Sequence, residues 1–421
     1  MTNNIFISKY MPITLNMQIN INSIFDSEPE VKLTNNIDYP KCSYGFHHYI
    51  HSLKKDIEIL KQFENKKKVY LVTNQFEIEI DKYDKSILEE TIKYFKISDK
   101  VPKIISLDFY KIWEILFMFD ILDTTGNIKS AHLTEDGSNI QSIIKFREKF
   151  SKDTKTDKHY IIKQNNNNNI NELNKDFTNY YDKKLTITNI ENIKDKIDLI
   201  TAGSAFTYHD DNENIIEQEY YNTLFENIVN TIKIQKKGGS FICKFFETYT
   251  DVSVKFIAIL ISLYEKVFFI KPMISKPSTS EKFIVCIGFK FSDISNPLKK
   301  MEKIQTIINK NNKMKICDLF NSYEINEKLK IRLIKINILT SNKLFQSIGE
   351  IVNFINSQDY YGDTYENYRN KQIEANDFWI NTFYPDPKDF KETKKKITDS
   401  SFLTNKINVD DTIQLEKKIK N

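Results

Sequence analysis

Between residues 104 and 295 the apolar positions fall into two alternating patterns, short continuous runs and runs spaced three and four apart. Continuous runs bounded by polar turns read as buried strands, and the wider spacing reads as helices packed on them. The order along the chain is helix Phe109–Leu122, strand Ser130–Leu133, helix through Lys149, strand His159–Lys163, strand Leu185–Thr188 and strand Ile197–Ala202. A helix Glu217–Gln235 follows, with Tyr221, Leu224, Phe225, Ile228 and Ile232 on one face, then a strand to Phe246. A buried apolar helix from Val252, a strand Val267–Ile270 and a strand Phe283–Phe289 complete the series. Alternation of this kind predicts an α/β sheet with helices on its faces. The expected organisation is an N-terminal accessory region over 1–103, an α/β domain over 104–295, a helical region over 296–385 and a polar tail over 386–421. Within the accessory region, His51–Lys67 has helical spacing, and Val69–Val72 and Phe76–Ile80 read as strands.

One residue breaks the pattern. Gly238-Gly239-Ser240-Phe241-Ile242-Cys243-Lys244-Phe245-Phe246 reads as a core strand, yet five of the six residues from Phe241 to Phe246 are apolar and the sixth is a lysine. An unpaired buried ammonium costs several kcal/mol, so Lys244 either reaches water at the strand's open end or is kept for chemistry. Glu281 stands just before the last apolar strand. Two opposite charges at the ends of two core strands predict a polar site at one edge of the sheet.

Composition narrows the classes. A chain of 421 residues with 30 Phe and 22 Tyr can bury a sizeable core in two or three domains. A net charge of +4 does not argue for nucleic acid, so any basic surface has to be local. Cys42, Cys243, Cys286 and Cys317 are widely spaced, without a CxxC or Cys/His cluster. No metal site is expected, and the pattern fits a reducing setting. Met1 to Asn20 lacks the basic and apolar regions of a signal peptide. The most apolar stretch, Val252–Ile270, is interrupted by Lys255, Glu265 and Lys266, so no membrane span is expected. The tract Asn165–Asn169 reads as an exposed low-complexity insertion. The lysine clusters at 394–396 and 417–418 read as a solvated tail or as contacts to RNA phosphates.

The run Lys237-Gly238-Gly239 through Lys244, then Lys271-Pro272, then Lys276-Pro277-Ser278-Thr279-Ser280-Glu281-Lys282-Phe283-Ile284-Val285-Cys286, resembles the FtsJ/RrmJ-like ribose 2′-O-methyltransferases, in the forms found in large cytoplasmic DNA viruses. The resemblance spans roughly 104–292. It implies a Rossmann-like S-adenosylmethionine-dependent methyltransferase domain, an RNA substrate, a viral source and action in the cytoplasm. It also implies a Lys-Asp-Lys-Glu tetrad. A ribose hydroxyl is a poor nucleophile and needs a base near its proton, and a lysine serves if a second cation and burial lower its pKa. By resemblance, Lys244 is that base, Glu281 its orienting partner, and Lys111, in Phe109-Tyr110-Lys111-Ile112-Trp113-Glu114-Ile115, the first lysine. Lys111 also reads as a surface pair with Glu114 at i,i+3. The donor turn corresponds to Ser130 through Ile140, with Glu135, Asp136 and Gly137, together with Ala202 and Gly203 after the fourth strand, as the residues implied to hold S-adenosylmethionine.

Two positions depart from the family pattern. The tetrad aspartate is expected directly after Asp198-Leu199-Ile200-Thr201-Ala202, where this chain has Gly203. The glycine pair of the donor turn is replaced by Ser138 and Asn139. Two functions follow. One is an RNA ribose 2′-O-methyltransferase acting near an mRNA cap. The other is a catalytically degenerate relative that serves as an RNA-binding or scaffolding subunit with a protein partner. His132 reads as an ordinary strand residue.

Overall fold

The computed structural model describes residues 12–36 and 102–399, apart from 16, 27, 29, 120, 123–125, 164–171, 207–215 and 358–360, together with Ser52. The helix expected over 51–67 (Ser52 apart), the two strands after it, Cys42, the polyasparagine tract and the lysines at 417–418 lie outside the described residues.

In chain order the elements are β1 (Ile13–Thr14), α1 (Ile21–Phe25), β2 (Val31–Thr34), α2 (Asp108–Phe119), β3 (Lys129–Leu133), α3 (Ser138–Phe150), β4 (Lys158–Ile162), α4 (Lys175–Tyr180), β5 (Leu185–Thr188) and β6 (Ile197–Ala202). They continue with α5 (Ile216–Glu219), α6 (Tyr221–Ile234), β7 (Gln235–Phe245), α7 (Asp251–Leu263), β8 (Tyr264–Ile270), β9 (Lys282–Phe289), α8 (Ser295–Lys310), β10 (Lys315–Leu319), α9 (Glu327–Asn356), α10 (Gly362–Phe383) and α11 (Phe390–Asp399).

Eight strands form one sheet in the order β1-β8-β9-β7-β6-β3-β4-β5. The strands from β7 to β5 pair in parallel, while β9, β8 and β1 pair antiparallel beyond β7. From β3 the chain winds outward through β4 and β5, then returns to β6 and winds the other way. The order therefore reverses between β3 and β6, which places a crevice at their carboxyl ends.

Period-two alternation decides which side chain meets which helix layer. Phe241, Cys243 and Phe245 of β7, with Ile284 and Cys286 of β9, face a core shared with α6, α7 and α8. Ile242 of β7, with Phe283 and Val285 of β9, faces the opposite core, built from α2, α3 and α10. Lys244 has the parity of Ile242, and Glu281 has the parity of Phe283, so both point toward α2.

Some elements differ from the sequence reading. The apolar stretch 252–270 is half helix and half strand, because the aromatic and β-branched residues after Leu263 pair with β9 over its full length, Tyr264↔Phe289 to Ile270↔Phe283. The helix expected over 217–235 breaks at Tyr220 into α5 and α6. A strand, β10, lies inside the region read as helical and pairs antiparallel with β2, so residues 31–34 and 315–319 build one ribbon. The stretch 12–34 joins both sheets and the first core rather than standing apart. Phe390 opens α11 and packs against Phe117, Phe146 and Phe150, so the first part of the expected polar tail is anchored in the second core. Among the described residues, no helix is long and apolar enough to cross a membrane, and no group of three or more His, Cys, Asp or Glu could hold a metal.

Candidate active site

The first turn of α2 carries Asp108, and Lys111 follows one turn later on the same helix face. That face lies over the ends of β7 and β9. Lys111 Nζ donates to Asp108 Oδ1 at 2.8 Å and to Glu281 Oε2 at 2.6 Å. Lys244 Nζ lies 2.5 Å from Asp108 Oδ2 and 3.3 Å from Glu281 Oε1. Each lysine thus bridges both carboxylates in a closed ring of alternating charge. The four side chains are only 6–15% exposed.

The electrostatics of the ring differ from the expected state. Burial lowers the proton affinity of the Lys244 ammonium, but Asp108 and Glu281 outweigh it and hold the group above the ordinary lysine range. Lys111 is raised by the same balance. Burial works to raise Glu281, but Lys111 and Lys244 prevail and hold its carboxyl well below the usual range. A lysine already lowered in pKa, as the resemblance implies for the base, is not the resting state. Both lysines are held charged, because two buried carboxylates stabilise two ammonium groups more than burial penalises them.

The structure brings Lys111, Lys244 and Glu281 together and adds Asp108. It leaves Gly203 without the role of a vacant aspartate seat. Gly203 has a φ of +101°, and a Cβ there would stand 2.7 Å from Tyr220 Oη and 2.9 Å from Lys244 Cβ. The position is filled by its neighbours, and the carboxylate comes from α2 instead. Asp198 lies at the opposite end of the sheet, accepting from Lys129 N at 3.0 Å and from Lys236 Nζ at 2.6 Å. Sequence reasoning missed Asp108 because an acidic residue in a first helical turn is ordinary N-terminal chemistry. The available signal was its i,i+3 spacing from Lys111.

Glu114 does not pair with Lys111. Its carboxylate accepts from Met273 N at 2.7 Å and from Trp379 Nε1 at 3.1 Å, and burial pushes it up to about 8. Lys271, between β8 and β9, donates to Thr279 O at 2.6 Å and to Glu281 O at 3.0 Å, fixing the loop that carries Glu281. Burial lowers Lys271 to about 7, with Glu281 opposing.

Glu135, Asp136 and Gly137 leave the end of β3, and Ala202 and Gly203 leave the end of β6, so all five flank the crevice where the strand order reverses. Gly203 N donates to Leu133 O at 3.1 Å and Ala205 N to Thr134 O at 2.8 Å, joining the two strand ends. Glu135 Oε1 accepts from Gly137 N at 2.8 Å and Asn139 N at 3.0 Å, and burial followed by the neighbouring Asp136 charge pushes Glu135 up to about 8. Gly137 has a φ of +110° and leaves no room for a side chain, since a Cβ would stand 2.6 Å from Ile105 Cδ1 and 3.1 Å from Phe177 Cδ1. Asn139 Oδ1 is buried without a hydrogen-bond partner. An orphaned buried acceptor beside two positive-φ glycines fits a turn that takes a polar ligand.

The sequence model of the FtsJ-like methyltransferase family matches residues 134–289. An uncharacterized protein of Acanthamoeba polyphaga mimivirus, R383, is 24% identical over 282 residues, 65% of each chain. The human cap-specific mRNA (nucleoside-2′-O-)-methyltransferase 1 is 36% identical over 78 residues, 18% of this chain and 9% of that protein. A Caenorhabditis briggsae protein named inactive cap-specific mRNA (nucleoside-2′-O-)-methyltransferase 1B is 29% identical over 127 residues, 29% of this chain and 15% of that one. The matches thus span under two thirds of the mimivirus protein and a small part of each cap protein. The family match begins after α2, so Asp108 and Lys111 come from outside it. Residues 134–289 thus match the FtsJ-like methyltransferase family model, within a doubly wound order that has its crevice between β3 and β6.

Proposed function

We propose that the protein is an S-adenosylmethionine-dependent RNA ribose 2′-O-methyltransferase acting on mRNA near its cap. The observation that carries this reading is the ring of Asp108, Lys111, Lys244 and Glu281 beside the crevice. Two ammonium groups held charged in a dry setting are costly, and one joined to two carboxylates in a closed ring is an arrangement with a chemical use.

The donor crevice is flanked by Glu135, Asp136, Gly137, Ala202 and Gly203. S-adenosylmethionine, when bound, supplies an electrophilic methyl group on a cationic sulfur. A second positive charge near Lys244 lowers that lysine's proton affinity. Lys244 Nζ first has to release one proton to solvent, and as the neutral amine it then takes the ribose hydroxyl proton, with Asp108 and Glu281 holding its orientation before and after. Lys111 bridges both carboxylates and holds them in place. Glu281 is also held from behind by Lys271 through its backbone carbonyl.

A second reading is a non-catalytic RNA-binding or scaffolding subunit. It is favoured by the tight packing of Ile105 and Phe177 against Gly137, over the donor turn. Transfer of labelled methyl from S-adenosylmethionine to capped and uncapped RNA separates the two. Transfer that disappears in Lys244→Ala and in Asp108→Asn supports the enzyme. Folded protein that binds RNA but transfers nothing supports the subunit.

A further inference from the structure

The ring joins two parts of the chain that reach it separately. Asp108 and Lys111 stand on α2, which precedes the segment matched to the family. Glu281 ends the loop 271–281 between β8 and β9, inside that segment. A carboxylate that meets Lys111 at 2.6 Å needs its loop held in register with α2. Glu114 makes that connection. It lies one turn beyond Lys111 on α2, and each step of three residues falls about 60° short of a full turn. The row Asp108, Lys111, Glu114 therefore swings from the ring toward the start of the loop. Glu114 Oε1 accepts from Met273 N at 2.7 Å. Met273 and Ile274 are themselves buried in the core that α2 shares. The far end of the loop is held by Lys271, whose Nζ donates to Thr279 O and Glu281 O. The loop is thus fixed near its start by a carboxylate of α2 and at its end by its own first residue.

We infer that Glu114 is a positioning residue: through Met273 it sets the loop 271–281 against α2, and thereby holds the Glu281 carboxylate between Lys111 and Lys244. The inference rests on the methyltransferase reading for its effect on rate, and on geometry alone for the hold on Glu281. Three observations carry it. Glu114 shares a helix with half of the ring, so a slide or tilt of α2 carries the loop with it. Both of its oxygens accept, Oε1 from Met273 N and Oε2 from Trp379 Nε1 at 3.1 Å. That is the pattern of an ionised carboxylate, since a protonated one has to donate from one oxygen. Burial opposes the charge and pushes Glu114 up to about 8, against the N–H groups of Met273, Trp379 and Ile274. Packing alone is served as well or better by an apolar side chain of the same size. A carboxylate kept at this cost, 1% exposed, is there for the two directions in which it accepts.

The test reads the ring directly. The full chain at pH 9 is treated with a trace of acetic anhydride, and acetylation of Lys111 and Lys244 is measured by mass spectrometry relative to the exposed Lys303. In the wild type both ring lysines are held charged and are expected to react slowly. Glu114→Gln has one acceptor oxygen where the carboxylate has two, so one N–H meets an amide NH2 and the loop shifts. Lys111 and Lys244 are then expected to react about tenfold faster, the change in free amine when proton affinity falls tenfold. Glu114→Asp keeps the charge and draws it back by one methylene; it is read in the same way if the Gln variant does not fold, which melting decides. Unchanged labelling of the ring lysines in a folded variant overturns the inference. So does a rise shared equally by the buried Lys255 and Lys282, which marks general loosening rather than a displaced Glu281. Methyl transfer is measured separately at the same pH. With an active wild type, kcat is expected to fall at least about tenfold while the KM for RNA stays in place, as for a group that acts on the reacting centre and not on binding. An unchanged kcat overturns the inference. A wild type that transfers nothing, with ring labelling that rises in the variant, leaves Glu114 as the positioning residue and removes the enzymatic reading.

Discussion

Asp108 makes one short contact to each lysine of the ring, and so couples the two ammonium groups. Its replacement by Asn keeps the shape and removes the charge. Asp108→Asn is expected to lower methyl transfer by at least about 100-fold, as losses of a single preorganised electrostatic partner do. An uncompensated buried ammonium also costs stability, about 3–5 kcal/mol when one partner of a buried pair is removed. Melting should therefore be followed beside the rate. Gly203→Asp gives the opposite test. The backbone is in the left-handed region and the Cβ meets Lys244, so this variant is expected to lose roughly 1–3 kcal/mol and to gain no activity. A stable Gly203→Asp protein with raised transfer would falsify the assignment of Asp108.

At the scale of elements, a polar network ties three parallel strands together inside the sheet. Ser130 Oγ of β3 is 2.8 Å from His132 Nε2 and 2.7 Å from His159 Nδ1 of β4, and His132 Nδ1 is 2.7 Å from Thr201 Oγ1 of β6. Burial pushes His159 down to about 4 and His132 well below its ordinary value. The unfolded chain takes up these protons first, near pH 6.5, so the folded state is favoured above that value. The contribution is lost as pH falls from about 6.5 toward about 4, and for His159 it is on the order of 3 kcal/mol. His159→Gln should flatten this limb when denaturation midpoints at pH 5 and pH 7 are compared; an unchanged slope would mean that other groups set it. A second link is Arg147 of α3, whose guanidinium pairs with Asp157 at 2.9 Å and donates to Gly126 O at 2.6 Å. Arg147→Ala strands a buried carboxylate and should cost about 3–5 kcal/mol in urea unfolding. The strand residues of this network were legible as strand from their apolar neighbours. The pairing of two histidines was not, because it depends on β3 and β4 lying side by side.

Across the whole molecule, the C-terminal helices hold the helix that carries half of the ring. Trp379 Nε1 of α10 donates to Glu114 Oε2 at 3.1 Å, and Trp113 Nε1 of α2 donates to Phe383 O at 2.7 Å. Tyr110 stands edge-on to Trp379 with ring centroids 5.7 Å apart. Trp379→Ala is expected to cost about 3–5 kcal/mol, the usual range for a fully buried aromatic. Because α2 supplies Asp108 and Lys111, transfer should fall in the same variant at temperatures where it is still folded. Full activity in that folded variant would show that α10 supports the core without positioning the ring. No part of this coupling could be read from the 298–385 region as a sequence, where helical spacing was evident but the partner of each apolar face was not.

The sequence by itself determined the alternation of strands and helices, because each strand's apolar run and each helix's spacing are local records of burial. It also pointed to Lys244 and Glu281 as one polar edge, since Lys244 breaks the end of one apolar strand and Glu281 stands just before the start of another. Only the tertiary structure decided which carboxylate completes the ring. Asp108 and Gly203 are 95 positions apart; Asp108 meets Lys244 at its Nζ, while the backbone geometry at Gly203, with Tyr220 and the Lys244 Cβ against it, excludes a side chain that the linear pattern would have placed there. The charge state of the lysines was likewise a tertiary matter, because it depends on whether burial or two neighbouring carboxylates dominates, and that balance is set by distances of a few ångströms that no spacing along the chain records.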